Sequence, residues 1–232
     1  MKLIMIRHGE PDYENDCLTE RGHLQAEAVA EKLLRYGITS VYASSKGRAV
    51  QTAEHFAQKA GLPVTQLDFI REYGYVRREF KGDPEILEQC QIVRRGREYY
   101  QDGRDILQGD FSDFYPWSGE KSYIREKCEA IGAGLDEWLA TLGYEREGLY
   151  YRCTRENEDT VALFSHGNSG RAAVSHLLHL HPVYGYALLR WSVTGISVFQ
   201  FKSEPGELVF PALRTWNDHS HIIGLTDPEN EV

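Results

Sequence analysis

At 232 residues, with 41% hydrophobic and 26% charged side chains, the chain sits near the globular average. That excludes a disordered polypeptide, and the length suits one large domain with a substantial core. No apolar run approaches the roughly 20 residues a bilayer requires, and a formal charge of −9 excludes generic binding to nucleic acid or to an anionic membrane. Any anionic substrate must therefore find a local cationic pocket.

In chain order, residues 2–6 (Lys-Leu-Ile-Met-Ile) form an apolar run that stops at Arg7-His8-Gly9, which predicts a buried strand ending in a polar turn. A motif this close to the start is also expected to leave no cleavable leader. After a loop carrying Pro11, Asp12 and Asn15, Thr19 reads as the N-cap of a helix with Leu24, Ala28 and Leu33 on its inner face and Gly37 as its terminator. Residues 38–43 read as a second strand, 44–48 as a turn, 49–60 as a helix ending at Gly61-Leu62-Pro63, and 67–71 as a third short strand.

The stretch 73–119 is rich in Arg, Tyr, Gly and acidic residues and breaks this grammar. It reads as a cap inserted over one end of the sheet, within a single domain spanning 1–232. Behind it Ile124, Cys128, Ile131, Leu135, Trp138 and Leu142 keep helical spacing and predict a long amphipathic helix. Residues 160–164 then predict a strand, 165–168 a turn and 169–179 a helix. The alternating runs 197–201 and 207–212 predict a hairpin around Pro205-Gly206. Strand–turn–helix recurring in this way implies an α/β fold, three-layered, with a mainly parallel central sheet flanked by helices and an inserted cap region.

In such sheets ligands bind beyond the carboxyl ends of the strands. Arg7 and His8, Arg48, and His166 all fall just past such ends, so two guanidiniums and two imidazoles are expected in one small volume. The helix opening near Asn168 would add free N–H groups and a positive dipole end. That constellation suits a tetrahedral dianion. Arg is the residue for the task because its planar fork holds two phosphate oxygens and stays charged. His8, at a solvent-reachable strand end, suits a nucleophile if one ring nitrogen donates to a fixed acceptor, for which a carbonyl near Gly9 is the candidate. Gly9 leaves the approach of a phosphoryl group unobstructed.

Arg7-His8-Gly9-Glu10 after the first strand, Arg48-Ala49-Val50-Gln51-Thr52-Ala53 opening a helix, and Ser165-His166-Gly167 late in the chain resemble the histidine phosphatase superfamily, which includes cofactor-dependent phosphoglycerate mutases. The resemblance spans residues 2 to about 180. It implies that His8 takes the phosphoryl group, that Arg7 and Arg48 bind its oxygens, and that His166 stabilises the developing charge, with Asn15, Gly167 and Asn168 as further substrate ligands. It implies no metal and no other cofactor. Ile70-Arg71-Glu72 matches the family's proton-donor segment and makes Glu72 the expected general acid, with Glu79 as its competitor. The pattern departs in places: Pro11 replaces the usual Thr, Glu14 stands where the family has Asn with Asn15 one place later, and the family's Gly-Glu-Ser is the looser Gly119-Glu120-Lys121-Ser122.

Rival readings rest on other residues. His176, His179 and His181, like His219 and His221, lack a companion carboxylate at ligand spacing, so metal binding is not expected. Ser169 lacks the Gly-x-Ser-x-Gly elbow of a serine hydrolase. The cap arginines Arg77, Arg78, Arg94, Arg95, Arg97 and Arg104 are balanced by acidic neighbours, which reads as a solvated mixed face. Cys17, Cys90, Cys128 and Cys153 form no C-x-x-C pair and are expected to be reduced thiols of a cytoplasmic protein. The expected function is hydrolysis of a small phosphomonoester through a phosphohistidine. A mutase, disfavoured by the short segment 11–18, and a non-catalytic phospho-ligand binder are the alternatives. Partners beyond the small substrate, and the oligomeric state, a dimer being one option, are left open by the sequence.

Overall fold

The computed structural model describes residues 1–73 and 123–225. The predicted cap, with its arginines, Glu79 and Cys90, lies outside the described residues except for Tyr73.

The strands are β1 (Lys2–Arg7), β2 (Pro11–Asp12), β3 (Cys17–Leu18), β4 (Ser40–Ser44), β5 (Val64–Leu67), β6 (Tyr144–Glu147), β7 (Tyr150–Cys153), β8 (Thr160–Ser165), β9 (Ile196–Gln200), β10 (Leu208–Val209) and β11 (Ala212–Asp218). Six of them form the central sheet, in the order β11-β9-β1-β8-β4-β5. β1, β8, β4 and β5 run parallel, whereas β9 and β11 add an antiparallel edge. Period-two alternation splits the parallel strands between two cores. Leu3, Met5, Val161 and Leu163 face one hydrophobic cluster, while Ile4, Ile6, Ala162 and Phe164 face the other. The second cluster is closed by α1 (Glu20–Leu33) and α2 (Gly47–Ala60) through Val29, Ala30, Leu33, Ala53 and Phe56. The first is closed by α3 (Tyr123–Thr141) and α4 (Gly167–Leu178), and also takes in Val183 and Tyr186 of α5 (Pro182–Leu188). This is the three-layer α/β arrangement that the alternating pattern implies.

Most predicted elements fall where the spacing puts them. Ile124, Cys128, Ile131, Leu135, Trp138 and Leu142 are all buried in one cluster. Thr19 caps α1, accepting from Gly22 N–H at 3.0 Å, and Gly37 ends the segment at φ 65° after a short 3-10 turn over Leu34–Tyr36. Three readings need correction. The inner face of α1 is Gly22, Gln25, Ala26, Val29, Ala30 and Leu33, while Leu24 is 58% exposed: the two large leucines do not share a face, and small residues make the contact. The predicted hairpin is also not formed. β9 pairs with 212–218, whereas β10 (Leu208–Val209) leaves to pair with β7 (Tyr150–Cys153) in a separate three-stranded sheet completed by β6 (Tyr144–Glu147). Pro205-Gly206 is therefore a corner between two sheets. The third strand is also earlier than predicted: β5 ends at Leu67, and residues 68–72 turn away from the sheet.

Candidate active site

β1 and β8 are adjacent and parallel, with Arg7 opposite Ser165, and His8 N–H donates to Ser165 carbonyl at 2.9 Å. That register alone puts His8 beside His166, whose ring meets it edge-on with centroids 5.0 Å apart. On the other side of β8, β4 ends at Ser44 and the chain turns into α2, whose second residue is Arg48. Neighbouring strand ends and one helix start thus bring together Arg7, His8, Arg48 and His166.

His8 is buried, with 1% of its surface exposed, and not solvent-reachable as the sequence reading expected. Its Nδ1 lies 2.6 Å from Gly9 carbonyl. A carbonyl only accepts, so Nδ1 carries the proton and Nε2 the lone pair. Arg48 Nε–H reaches that lone pair at 3.3 Å. Burial first, then the Arg7 and Arg48 charges, push His8 well below its ordinary value, which keeps it neutral. His166 is lowered well below its ordinary value by burial and then by the same cationic surroundings. Its Nε2 lies 2.7 Å from Ser44 Oγ, while its Nδ1 and Arg7 Nε are buried and lack a hydrogen-bond partner among the described residues. Two orphaned polar atoms beside the His8 Nε2 lone pair fit a polar, anionic guest. Gly9 has a packing reason as well: a Cβ there would stand 2.6 Å from Gly22 carbonyl of α1.

Glu72 enters from the turn after β5, where its Oε2 accepts from Asn168 N–H at 3.2 Å and its Oε1 from Ser169 N–H at 3.0 Å. The first N–H groups of α4, expected to receive the substrate dianion, are therefore spent on this carboxylate. Asn168 further ties the segment by donating Nδ2–H to Tyr73 carbonyl at 3.1 Å, and Arg171 Nη2 donates to its Oδ1 at 2.6 Å. Desolvation raises Glu72 above its ordinary value, against the lowering pull of these N–H bonds and of Arg48 and Arg171. Gly167 lies against Arg7, whose Nε would be 3.5 Å from a Cβ there. Asn15 is not brought into the cluster. It is exposed, and its Nδ2–H donates to Asp12 at 2.7 Å.

The residue that does reach Arg48 from this loop is Asp16, which the sequence reading missed along with Ser44, Thr52 and Arg171. Thr52 Oγ accepts from Gly9 N–H at 3.1 Å and donates to Arg48 carbonyl at 2.7 Å. Only Thr52 carried a signal, one helical turn beyond Arg48.

The remaining histidines are held by protein partners. His176 Nε2 sits 2.9 Å from both Asp136 oxygens, His179 Nε2 is 2.6 Å from Leu149 carbonyl, and His221 Nε2 is 3.0 Å from Thr194 Oγ. Among the described residues no group of three or more His, Cys, Asp or Glu is placed to hold a metal. Ser169 is wholly buried, and its hydroxyl has no hydrogen-bond partner among the described residues. Cys17, Cys128 and Cys153 are free thiols.

Burial also lowers His181 and His221, each to about 4. With His8 and His166, four imidazoles are neutral in the fold and regain a value near 6.5 on unfolding. Below that value the unfolded chain binds more protons, so stability falls as pH drops through 6.5 and goes on falling until the folded groups titrate. The urea midpoint is expected to be lower at pH 5 than at pH 7.5, with net proton uptake on unfolding at pH 5. Equal midpoints at the two pH values would contradict the burial of these rings in neutral form.

The chain resembles known proteins along its whole length. It is 26% identical to a probable phosphoglycerate mutase of Proteus mirabilis, over 97% of this chain and 96% of the relative. It is 27% identical to a probable phosphatase of Schizosaccharomyces pombe, over 65% and 77%. The fold is shared with a phosphoserine phosphatase mutant from Entamoeba histolytica, solved in complex with phosphoserine, at a TM-score of 0.61 and 22% identity over 95% and 98% of the two chains. Residues 3–105, which carry the first two motifs, match the model of the histidine phosphatase superfamily (branch 1).

Proposed function

We propose that the chain hydrolyses a phosphomonoester of a small metabolite through a phosphohistidine on His8. The observation that carries this reading is the state of the His8 ring: neutral, its Nδ1 proton committed to Gly9 carbonyl, and its Nε2 lone pair turned toward the Arg48 guanidinium. In the first step Nε2 attacks phosphorus and the bond to the leaving oxygen breaks. That oxygen takes the proton of Glu72. In the second step Glu72, now a carboxylate, takes a proton from water, whose oxygen attacks phosphorus and releases His8.

Arg7 and Arg48 neutralise the equatorial oxygens in both steps, with the Gly167 turn beside Arg7 as a further contact. In this scheme Ser44 Oγ, which accepts from Lys46 N–H at 3.3 Å, donates its hydroxyl hydrogen bond to His166 Nε2, 2.7 Å away. That assignment puts the ring proton of His166 on Nδ1, the orphaned atom, as a donor to a transferring oxygen. The positive charge the reaction needs comes from side chains in this scheme. Release of phosphate from p-nitrophenyl phosphate is therefore expected to be unchanged by EDTA and blocked by vanadate, which the pocket would hold as a five-coordinate analogue. Loss on chelation, restored by zinc or magnesium, would overturn the metal-independent scheme.

A second reading follows from the phosphoglycerate mutase relative, whose match runs along nearly the whole chain. Phosphoryl return to a second hydroxyl would appear as isomerised phosphoglycerate without free phosphate. Absence of either product would leave a phospho-ligand binder.

A further inference from the structure

We infer that Asp16 is a positioning residue for this chemistry: it holds the Arg48 guanidinium beside His8, from where its fork passes from Nε2 to the phosphoryl oxygens when substrate enters, an inference that rests on the roles proposed above for His8 and Arg48. α2 starts without a side-chain cap of its own, since Lys46 at the N-cap supplies none. Asp16, thirty-one positions earlier, supplies it from the loop before α1, its Oδ2 accepting from Gly47 N–H at 3.0 Å. The other oxygen of the same carboxylate accepts from Arg48 Nη1–H. One carboxylate thus grips both the start of the helix that carries Arg48 and the far edge of its guanidinium.

Three contacts then fix the guanidinium: Asp16 on Nη1, His8 on Nε at 3.3 Å, and the Tyr13 ring from the same loop, 5.4 Å from Cζ. The Arg48 side chain is 7% exposed and that of Asp16 38%, so Asp16 works from the rim and Arg48 from within. The backbone of Asp16 is pinned as well. It is held at φ 50°, a left-handed conformation that is costly for a residue with a side chain. Its carbonyl also presses so closely on Gly47 that any Cβ there would collide with it. Strain of this kind persists where the surroundings over-determine a geometry.

An ion pair used this way sets direction more than affinity. The planar fork of Arg acts on a phosphoryl group only when aligned, and a misplacement of about 1 Å costs up to about 10²-fold. The test is a double-mutant cycle on p-nitrophenyl phosphate turnover, with vanadate affinity and Tm read alongside. Asp16→Ala is expected to lower kcat/KM by about 10- to 10²-fold, mostly in kcat, and to weaken vanadate by a similar factor. Asp16→Asn keeps one acceptor oxygen and is expected to recover part of the loss. In an Arg48→Ala background, Asp16→Ala is expected to add less than about 2-fold, because the residue it acts through is gone.

Equal losses in both backgrounds, or a lower Tm with unchanged kcat/KM, would overturn the inference in favour of a loop-stabilising role. Tighter vanadate in Asp16→Ala would overturn it differently, by showing that the carboxylate competes with the anion for Arg48. Failure of the underlying reading looks distinct: the wild-type chain itself would release no phosphate, while calorimetry of vanadate binding to the same variants would still report on the Asp16–Arg48 coupling.

Discussion

His8→Ala is expected to abolish phosphate release from p-nitrophenyl phosphate, with a loss of about 10³-fold or more, the scale seen when a nucleophile is removed from a site that otherwise stays intact. The substitution takes away the group on which the proposed covalent intermediate forms. It leaves Arg7, Arg48 and His166 to bind an anion without turning it over. Rapid quenching of the wild-type enzyme should trap acid-labile, base-stable phosphate on His8, and the variant should trap none. The fold should survive: the lost ring is buried but lies between the Arg7 and Arg48 charges and not in either apolar cluster. A binding titration with vanadate and a circular dichroism spectrum separate a dead enzyme from an unfolded one. Near-normal turnover in a folded His8→Ala protein would eliminate the covalent mechanism.

The pairings of candidate site residues that the sequence discloses are those made by strand ends. Arg7, His8 and His166 follow from apolar runs that stop at polar turns, and parallel pairing of those runs does the rest. The long helix over Ile124 to Leu142 is equally legible, because six apolar positions at helical spacing admit one burial pattern. What the sequence conceals is contact between distant loops. Asp16 is one acidic residue in a polar stretch, and nothing local says that it reaches Arg48. Asn168 looks like a helix start awaiting an anion, and only the turn after β5 reveals that the anion is Glu72. Pro205-Gly206 fails for a related reason: alternation marks the strands on either side, but pairing partners in antiparallel sheets are set by tertiary packing, and here they lie in different sheets.

Glu72→Gln is expected to slow hydrolysis of alkyl phosphates by about 10²-fold or more, in line with the usual contribution of a general acid, while sparing phosphorylation by activated aryl phosphates, whose leaving oxygen needs no proton. Geometry and charge both bear on the expectation. The carboxylate is oriented by the N–H groups of Asn168 and Ser169, and desolvation holds its proton more tightly than in water despite Arg48 and Arg171. A raised value means that the acid form persists to higher pH and is lost as pH climbs through it. For alkyl substrates kcat/KM should therefore fall on the alkaline side, and Glu72→Gln should flatten that limb. On the acid side activity should extend below pH 6.5, because His8 stays neutral there. The glutamine also removes the base that activates water in the second step, so phosphohistidine should accumulate in the variant when aryl phosphates are used. Glu79, the competing carboxylate, lies outside the described residues. Equal losses in the rate of the phosphorylation step on alkyl and aryl substrates from Glu72→Gln, with a leaving-group-dependent loss from Glu79→Gln, would transfer the role to Glu79.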